Sequence, residues 1–258
     1  MPRIRLVSVS FLLTFCLLTH AAQAQTEVRV IGYTFPPFVF NAKQGVSQDF
    51  IKLLNAAQSE FRFTFVFTSP NRRYRLFEHQ QGDLIFFEMP EWGWQESGTG
   101  YEMTRQILSG GEVYVAKARA GRSQSFFDDI LSKRIAAYAG YHYGFAQFNA
   151  DPTWLRQKFR ITLTNDHDTN IRVLLANRVD VSVVSKSYLS RYLRAKPHLQ
   201  GKLLISEKKD QVYRLAGLVR KAGPISVRQV ENILDKIKES GELEDFFAKI
   251  GLKNDLVY

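Results

Sequence analysis

The fold is decided by residues 61–87, which read FRFTFVFTSPNRRYRLFEHQQGDLIFF. In its first seven residues phenylalanine alternates with other residue types, the two-residue period of a strand with one aromatic face, which we interpret as core packing. The segment 73–80 predicts a helix, which Gly82 ends. A continuous apolar run at 84–87 is typical of a buried strand. The stretch is therefore a strand–helix–strand unit, the building block of an α/β fold with a parallel sheet.

Strands and helices keep alternating on both sides of this unit. Upstream, 27–31 predicts a strand, and apolar residues at helical spacing between 50 and 61 predict a helix capped by Ser47. Downstream the pattern predicts strands at 112–117, 135–138, 179–184 and 212–220 and helices at 170–177, 226–237 and 243–250. Because two such series follow each other without a flexible linker, we expect two lobes whose sheets are mostly parallel and flanked by helices.

The N-terminus has the layout of a secretory signal peptide. Arg3 and Arg5 precede a mainly apolar run at 6–18, and the tripeptide AQA ends at residue 24. The apolar run is shorter than the ~20 residues of a spanning helix, although an uncleaved anchor stays an alternative. We expect cleavage of residues 1–24 and a periplasmic location for the remaining chain. The only cysteine, Cys16, lies in this segment, so a mature chain has no thiol for a disulfide or a cysteine-bound zinc ion.

Charge and composition limit the classes of partner. Hydrophobic residues make up 45% of the chain, as in ordinary globular proteins. The formal net charge of the full chain is +10, of which the predicted signal peptide contributes two arginines. A basic protein can bind nucleic acid, but export argues against that partner. We expect a monomer that binds a small molecule, with no metal ion and no cofactor.

Five short motifs occur in a characteristic order. They are YTFPPF at 33–38, GVSQDF at 45–50, GDLI at 82–85, RVDV at 178–181 and KESGEL at 238–243. In this order and spacing the chain resembles the family 3 periplasmic solute-binding proteins, which include many receptors for polar amino acids. The resemblance runs from about residue 28 to residue 252.

The resemblance implies a type II periplasmic-binding fold of two α/β lobes joined by two hinge crossings. Lobe one would hold 25–109 and 214–258, and lobe two would hold 110–213. The ligand would lie in the cleft, where strand ends and helix N-termini converge. Hinge closure would be favoured because the ligand touches both lobes.

Two positions depart from the pattern of amino-acid receptors in this family. Where such receptors place an arginine that forks onto the ligand carboxylate, this chain has Gln95. Where they place an aspartate that holds the amine, it has Ser185. Neither charged contact is predicted at its usual position. The resemblance therefore predicts the fold, but it does not predict a plain amino acid as the ligand.

Matched positions predict an aromatic cleft instead. The predicted ligand-binding residues are Tyr33, Phe35, Phe38, Glu88, Trp92, Trp94, Tyr138, Tyr141, His142 and Ser185. Aromatic faces suit rings, sugars or cations, and the carboxylates of Glu88 and Glu91 beside two tryptophans would favour a cationic ligand. The alternative is that the tryptophans pack under the loop and the glutamates are solvated.

Two charged clusters are not assigned a binding role. The segment 71–75, NRRYR, could bind an anion or a partner, but it fits a solvated helix face. The run 166–168, DHD, has metal-ligand residue types, yet adjacent side chains cannot easily share one ion.

The leading functional hypothesis is a binding protein, and not an enzyme, that delivers a small polar or amino-acid-like solute to an ABC-type membrane transporter. A sensor subunit for a membrane receptor would use the same closure. A cleft enzyme of the cyclohexadienyl dehydratase type would use Glu88 or Glu91 as proton carrier. A member of the fold that binds only proteins is the fourth alternative.

Overall fold

The structure, a computed structural model, describes residues 24–258. The predicted signal peptide, apart from its last residue, lies outside the described residues. No helix between residues 24 and 258 has the length and apolar character needed to cross a bilayer.

The described residues form nine β-strands and seven α-helices. The strands are β1 Thr26–Tyr33, β2 Phe61–Thr68, β3 Leu84–Glu88, β4 Tyr101–Met103, β5 Leu108–Lys117, β6 Ile135–Tyr138, β7 Ile161–Thr164, β8 Val181–Ser185 and β9 Leu203–Arg220. The helices are α1 Val46–Ala57, α2 Arg73–Glu78, α3 Pro152–Lys158, α4 His167–Leu175, α5 Lys186–Ala195, α6 Val227–Glu239 and α7 Glu242–Lys249.

Lobe one is built on the strand order β2-β1-β3-β9. β1 runs parallel to β2 and β3, whereas β9 joins β3 in the antiparallel direction. Phe50 on α1 is fully buried and packs its ring 5.1 Å from Phe86 of β3 and 5.8 Å from Phe247 of α7. The C-terminal helices therefore complete the core that the N-terminal strands begin.

Lobe two is built on the strand order β5-β8-β6-β7. β6 runs parallel to β7 and β8, and β5 is antiparallel to β8. A second hydrophobic cluster lies under α4 and α5 and includes Ile171, Val184 and Leu189. The two-lobed α/β prediction is confirmed, and each sheet is mixed because long antiparallel strands join the parallel ones.

Two strands connect the lobes. β5 and β9 pair in the antiparallel direction from Leu108 opposite Leu215 to Lys117 opposite Leu203, with register irregularities near Glu112 and Val113. One part of β9 also pairs with β3 and β4 of lobe one. The predicted lobe boundaries, 25–109 with 214–258 and 110–213, fall within these strands and stay a prediction.

Three local expectations differ from the structure. α1 begins after Gly45, and Ser47 lies inside the helix without a side-chain cap bond. Phe67 is 43% exposed although it belongs to the alternating phenylalanine row, and it lies near the end of β2, an edge strand of the sheet. β9 starts nine residues before the predicted 212, because polar residues on a two-stranded connection alternate toward solvent.

Candidate functional site

An enclosed cavity lies between the lobes. Lobe one lines it with Tyr33, Phe35, Arg73 and Trp92. Lobe two and the connecting strands line it with Glu112, Gly140, Tyr141, His142, Gln211 and Tyr213. It leaves about 10 Å³ for water-sized molecules, which is room for about a single water. The cleft is closed in this structure.

Aromatic rings fill most of the cleft. Phe35, on the loop that follows β1, lies at their centre. Its ring meets Trp92 at a centroid distance of 5.5 Å, Tyr141 at 5.7 Å and Tyr213 at 5.9 Å, each edge to face. This geometry is the favoured one for aromatic pairs, so the rings hold the closed arrangement in addition to burying apolar area.

Hydrogen bonds cross the cleft. The Trp92 indole Nε1 donates to the Gln211 side-chain oxygen at 2.8 Å. The Tyr141 hydroxyl donates to the backbone carbonyl of Thr34 at 2.8 Å. The Ser185 hydroxyl donates to the carbonyl of Pro36 at 3.3 Å. These bonds tie the loop after β1 and the loop after β3 to lobe two.

His142 is part of the same closure. Its Nε2 lies 3.0 Å from the Tyr74 hydroxyl of lobe one, and its Nδ1 lies 2.6 Å from the carbonyl oxygen of Phe148. Burial, and after it the positive charge of Arg73, lower the pKa of His142 to about 4. The imidazole is therefore neutral at neutral pH and acts as a hydrogen-bonding wall of the cavity.

The prediction of a solvated helix face is wrong for Arg73. Its side chain is 1% exposed, and its guanidinium donates to the carbonyls of Pro70 at 2.5 Å and Trp92 at 2.9 Å. The guanidinium carbon also lies 4.6 Å from the ring centroid of Tyr33. The first turn of α2 directs this residue into the lobe, whereas Arg72 on the preceding turn is exposed as predicted.

Glu88, the last residue of β3, neutralises Arg73. Glu88 Oε2 lies 3.4 Å from Arg73 Nε, and the Tyr33 hydroxyl donates to Glu88 Oε1 at 3.4 Å. Burial raises the pKa of Glu88 to about 7, and the Arg73 charge acts in the opposite direction. The carboxylate is behind Tyr33 and not among the residues that line the cavity.

Glu91 is also paired. It forms an ion pair with Arg214 at the protein surface. An arginine therefore pairs with each of Glu88 and Glu91 in this structure, and their attraction for a cationic ligand stays a prediction.

Glu112 on β5 is the acidic residue that sequence reasoning missed. It is 1% exposed and lines the cavity. The Gln211 side-chain amide donates to its Oε2 at 2.7 Å, while its Oε1 has no hydrogen-bond partner among residues 24–258. Burial, and next the negative charge of Asp210, raise the pKa of Glu112 well above its usual range.

The remaining predicted ligand residues lie behind the lining. Phe38 stacks on Phe87 at 4.6 Å, and Tyr138 stacks on Tyr141 at 4.3 Å. Trp94 is buried against Phe77 at 4.9 Å, away from the cavity. Of the ten predicted ligand-binding residues, five line the cavity, namely Tyr33, Phe35, Trp92, Tyr141 and His142. The ligand contacts of all ten stay a prediction.

Weak sequence signals mark three lining residues that were not predicted as site residues. Glu112 is a charged residue at the start of an otherwise apolar strand pattern, and Gln211 and Tyr213 alternate on β9. No sequence signal distinguishes the buried Arg73 from Arg72 and Arg75, the exposed arginines of the same cluster.

The acidic residues of the run 166–168 make contacts unrelated to metal binding. Asp166 caps α4 by accepting from the Thr169 backbone N–H, and Asp168 pairs with Lys196 at 2.7 Å. Between residues 24 and 258 no three His, Cys, Asp or Glu side chains form a group that could hold a metal ion.

Comparisons by sequence and by structure give different results. No protein-family model matches the sequence, and no curated protein matches it. Solved structures match closely in fold. The substrate-binding protein of an ABC uptake transporter from Streptococcus pneumoniae, with bound histidine, gives a TM-score of 0.70 at 16% identity, covering 90% of this chain and 95% of its own.

Two further structures place the fold in the same group. The GluR0 ligand-binding core from Nostoc punctiforme, in complex with L-glutamate, gives a TM-score of 0.65 at 17% identity, covering 86% of this chain and 98% of its own. An ancestral amino-acid-binding protein described as a precursor of cyclohexadienyl dehydratase gives 0.61 at 17%, covering 86% and 94%. The chain therefore has the two-lobed fold of the family 3 solute-binding proteins.

Proposed function

We propose that this chain, which has the fold of family 3 solute-binding proteins, is an exported protein that captures a small ligand between its lobes and delivers it to an ABC-type membrane transporter. The observation that carries the proposal is the cavity enclosed by side chains from both lobes. A ligand in that place contacts both lobes at once, and it can therefore shift the hinge equilibrium toward the closed state.

The nature of the lining supports binding rather than catalysis. Aromatic rings with a few polar groups are typical of small-molecule sites. A proton carrier needs access to its substrate, yet Glu88 lies behind Tyr33 and pairs with Arg73, and Glu91 pairs with Arg214 at the surface. Neither Glu88 nor Glu91, the two carboxylates that the cleft-enzyme alternative names, therefore has the access that this role needs.

The sensor alternative has support from the structural relatives. The GluR0 protein is a ligand-binding core in complex with L-glutamate, whereas the Streptococcus pneumoniae protein is the substrate-binding protein of an ABC uptake transporter. Both uses depend on ligand binding in the cleft, so the binding step is the one to test first. Ligand uptake by membrane vesicles that carry the transporter would then separate delivery from sensing.

The test of binding is a thermal melt against a ligand panel. The protein is unfolded and refolded to remove any carried ligand, and the panel spans amino acids, polyamines, nucleobases, sugars and aromatic acids. A ligand specific for the folded state adds ~2.7 kcal/mol of stability at a hundred times its Kd. We expect a clear rise in Tm with one chemical class. A well-folded protein whose Tm responds to no compound would contradict the proposal.

A pair of variants locates the binding. Gln211 lines the cavity, whereas Gln200 is exposed and remote from the lining. We expect Gln211→Ala to reduce the ligand-induced rise in Tm and Gln200→Ala to keep it. Equal loss in both variants, or in neither, would place the ligand elsewhere.

A further inference from the structure

We propose that the ligand of this cleft is a small organic ammonium compound, whose positive charge pairs with the carboxylate of Glu112. This inference rests on the proposed function and specifies the ligand class of the same site. It departs from the sequence-based expectation, which assigned the attraction for a cation to Glu88 and Glu91.

Glu112 offers an unused acceptor to the cavity. The residue is 1% exposed, one carboxylate oxygen accepts from Gln211, and the other oxygen has no well-aligned hydrogen bond among residues 24–258, although the Tyr213 hydroxyl is close enough to lower the pKa of Glu112. A buried acceptor without a partner is costly, so a donor that enters the cavity gains the bond that the protein leaves open. An ammonium group brings both the donor and the compensating charge.

The other charged groups near the cavity already have charged or hydrogen-bonding partners, although Arg73 Nε and Glu88 Oε2, 3.4 Å apart, make no hydrogen bond among residues 24–258. Arg73 pairs with Glu88 and donates to two backbone carbonyls. Asp210 accepts from the Tyr114 hydroxyl at 2.6 Å and from the backbone N–H groups of Gly144 at 2.7 Å and Phe145 at 2.9 Å. Glu112 is therefore an acid that lines the cavity without a basic partner among residues 24–258, and a bound cation would favour its ionised form over the protonated form that burial favours.

The rest of the lining suits the same ligand class. Five aromatic rings surround the space, those of Tyr33, Phe35, Trp92, Tyr141 and Tyr213. The faces of aromatic rings attract cations, and they do so most strongly where water is excluded. Arg73 is the basic residue of the lining and already pairs with Glu88, so a carboxylate ligand would have to compete with Glu88 for it, which gives the cleft a basis for disfavouring carboxylate ligands.

The position of Glu112 couples the charge to closure. It lies on β5, one of the two strands that connect the lobes, and its partner Gln211 lies on β9, the other. The same Gln211 side chain accepts from the Trp92 indole of lobe one. A cation held by Glu112 thus sits where lobe one meets the connecting strands, so its binding energy can favour the closed state.

The test compares compounds that match in shape and differ in charge. Methylammonium, methanol and formate form one series, and benzylammonium, benzyl alcohol and benzoate form a larger one, which fits only if the aromatic rings move apart from the closed arrangement. The Kd of each compound for the refolded protein is measured by calorimetry and by the rise in Tm. We expect at least one of the ammonium compounds to bind and its neutral and anionic counterparts to bind roughly thirtyfold more weakly or worse, the scale of a buried charge pair.

Two variants assign the preference to Glu112. Glu112→Gln keeps the shape and removes the charge, and we expect it to lose the discrimination between ammonium and alcohol. Glu78→Gln, on the exposed end of α2, is the matched control and is expected to keep it. Circular dichroism and the melting curve establish that each variant folds. If Glu112→Gln does not fold, the wild-type charge series still decides the ligand class.

The outcomes separate this inference from the proposed function. Binding of an alcohol or carboxylate with equal or higher affinity would overturn the ammonium assignment and leave the binding function intact. An ammonium preference that survives in folded Glu112→Gln would overturn the role of Glu112. No binding by any compound of the charge series would overturn the ligand class, and no response to the broader panel as well would overturn the binding function itself.

Discussion

At the scale of single residues, buried charged groups affect both the stability of the fold and the chemistry of the cleft. Arg73 and Glu88 are each 1% exposed in their side chains, and each needs the other because an isolated buried charge is strongly destabilising. Glu112 differs from them, since its hydrogen-bond donor is the neutral amide of Gln211. One ion pair thus serves stability, while one unpaired acid is left for function.

Removal of the Arg73 charge tests the structural pair. We expect Arg73→Met to lower the free energy of unfolding by roughly 3–5 kcal/mol, because Glu88 then lacks its buried counter-charge. Urea denaturation measures the change. Arg75→Met on the exposed side of the same helix is the control and is expected to change it by less than about 0.5 kcal/mol. Similar small effects for both variants would show that Arg73 is not buried as described.

His167 predicts a pH dependence of stability. It is 1% exposed and packs against the rings of Tyr138, Tyr141 and Tyr188. Neither ring nitrogen has a hydrogen-bond partner within residues 24–258, and burial lowers its pKa to about 4. Below its unfolded pKa of about 6.5 the unfolded chain binds a proton that the folded chain does not. Stability contributed by this residue is therefore present at pH 7 and lost as the pH falls from 6.5 toward 4.

The variant His167→Phe removes this contribution. We expect the wild type to lose up to roughly 3 kcal/mol relative to His167→Phe between pH 7 and pH 4. Denaturation curves at several pH values measure the difference. Parallel pH profiles for the two proteins would contradict the burial of a neutral imidazole.

At the scale of elements, local sequence signals define most helices and strands. α6 begins with a capping box in which Ser226 accepts from the Gln229 backbone and the Gln229 side chain accepts from the Ser226 backbone. α6 also packs on α1, so this helix joins the C-terminus to the first lobe.

Loss of this cap has a predictable cost. We expect Ser226→Ala to lower the free energy of unfolding by about 1 kcal/mol, the usual value of an N-cap side chain. Chemical denaturation checks it, with Ser59→Ala as the control at an exposed turn. A cost equal to that of the control would mean that the cap bonds do not contribute to stability.

Periodicity predicted the elements better than it predicted the site. The alternating phenylalanines identified β2, and the apolar run at 84–87 identified β3, because core packing repeats with the period of the strand. The length of β9 was missed, since its polar residues, Glu207 to Asp210, resemble a loop. Arg73 and Glu112 were missed because their burial depends on contacts with other parts of the chain.

At the scale of the whole molecule, the proposed ligand capture depends on a hinge that closes around the cavity. Hydrogen bonds from Trp92, Tyr141 and Ser185 cross the cleft, and each contributes roughly 1 kcal/mol. Such values bias a two-state equilibrium without locking it.

Loss of one bond across the cleft should open the lobes more often. We expect Tyr141→Phe to raise the population of the open state by roughly fivefold, the effect of about 1 kcal/mol. Spin labels at Asn71 of lobe one and Arg156 of lobe two report the distance distribution by electron paramagnetic resonance. The control Tyr188→Phe is within lobe two, and an equal change there would argue against a role of the Tyr141 hydroxyl in closure.

Hydrogen–deuterium exchange tests whether a small ligand binds between the lobes. The compound that raises Tm most in the ligand panel is added, and protection of backbone amides is mapped along the chain. We expect slower exchange in two segments, 33–39 of lobe one and 139–146 of lobe two. Protection confined to one lobe, or located outside the cleft, would contradict it.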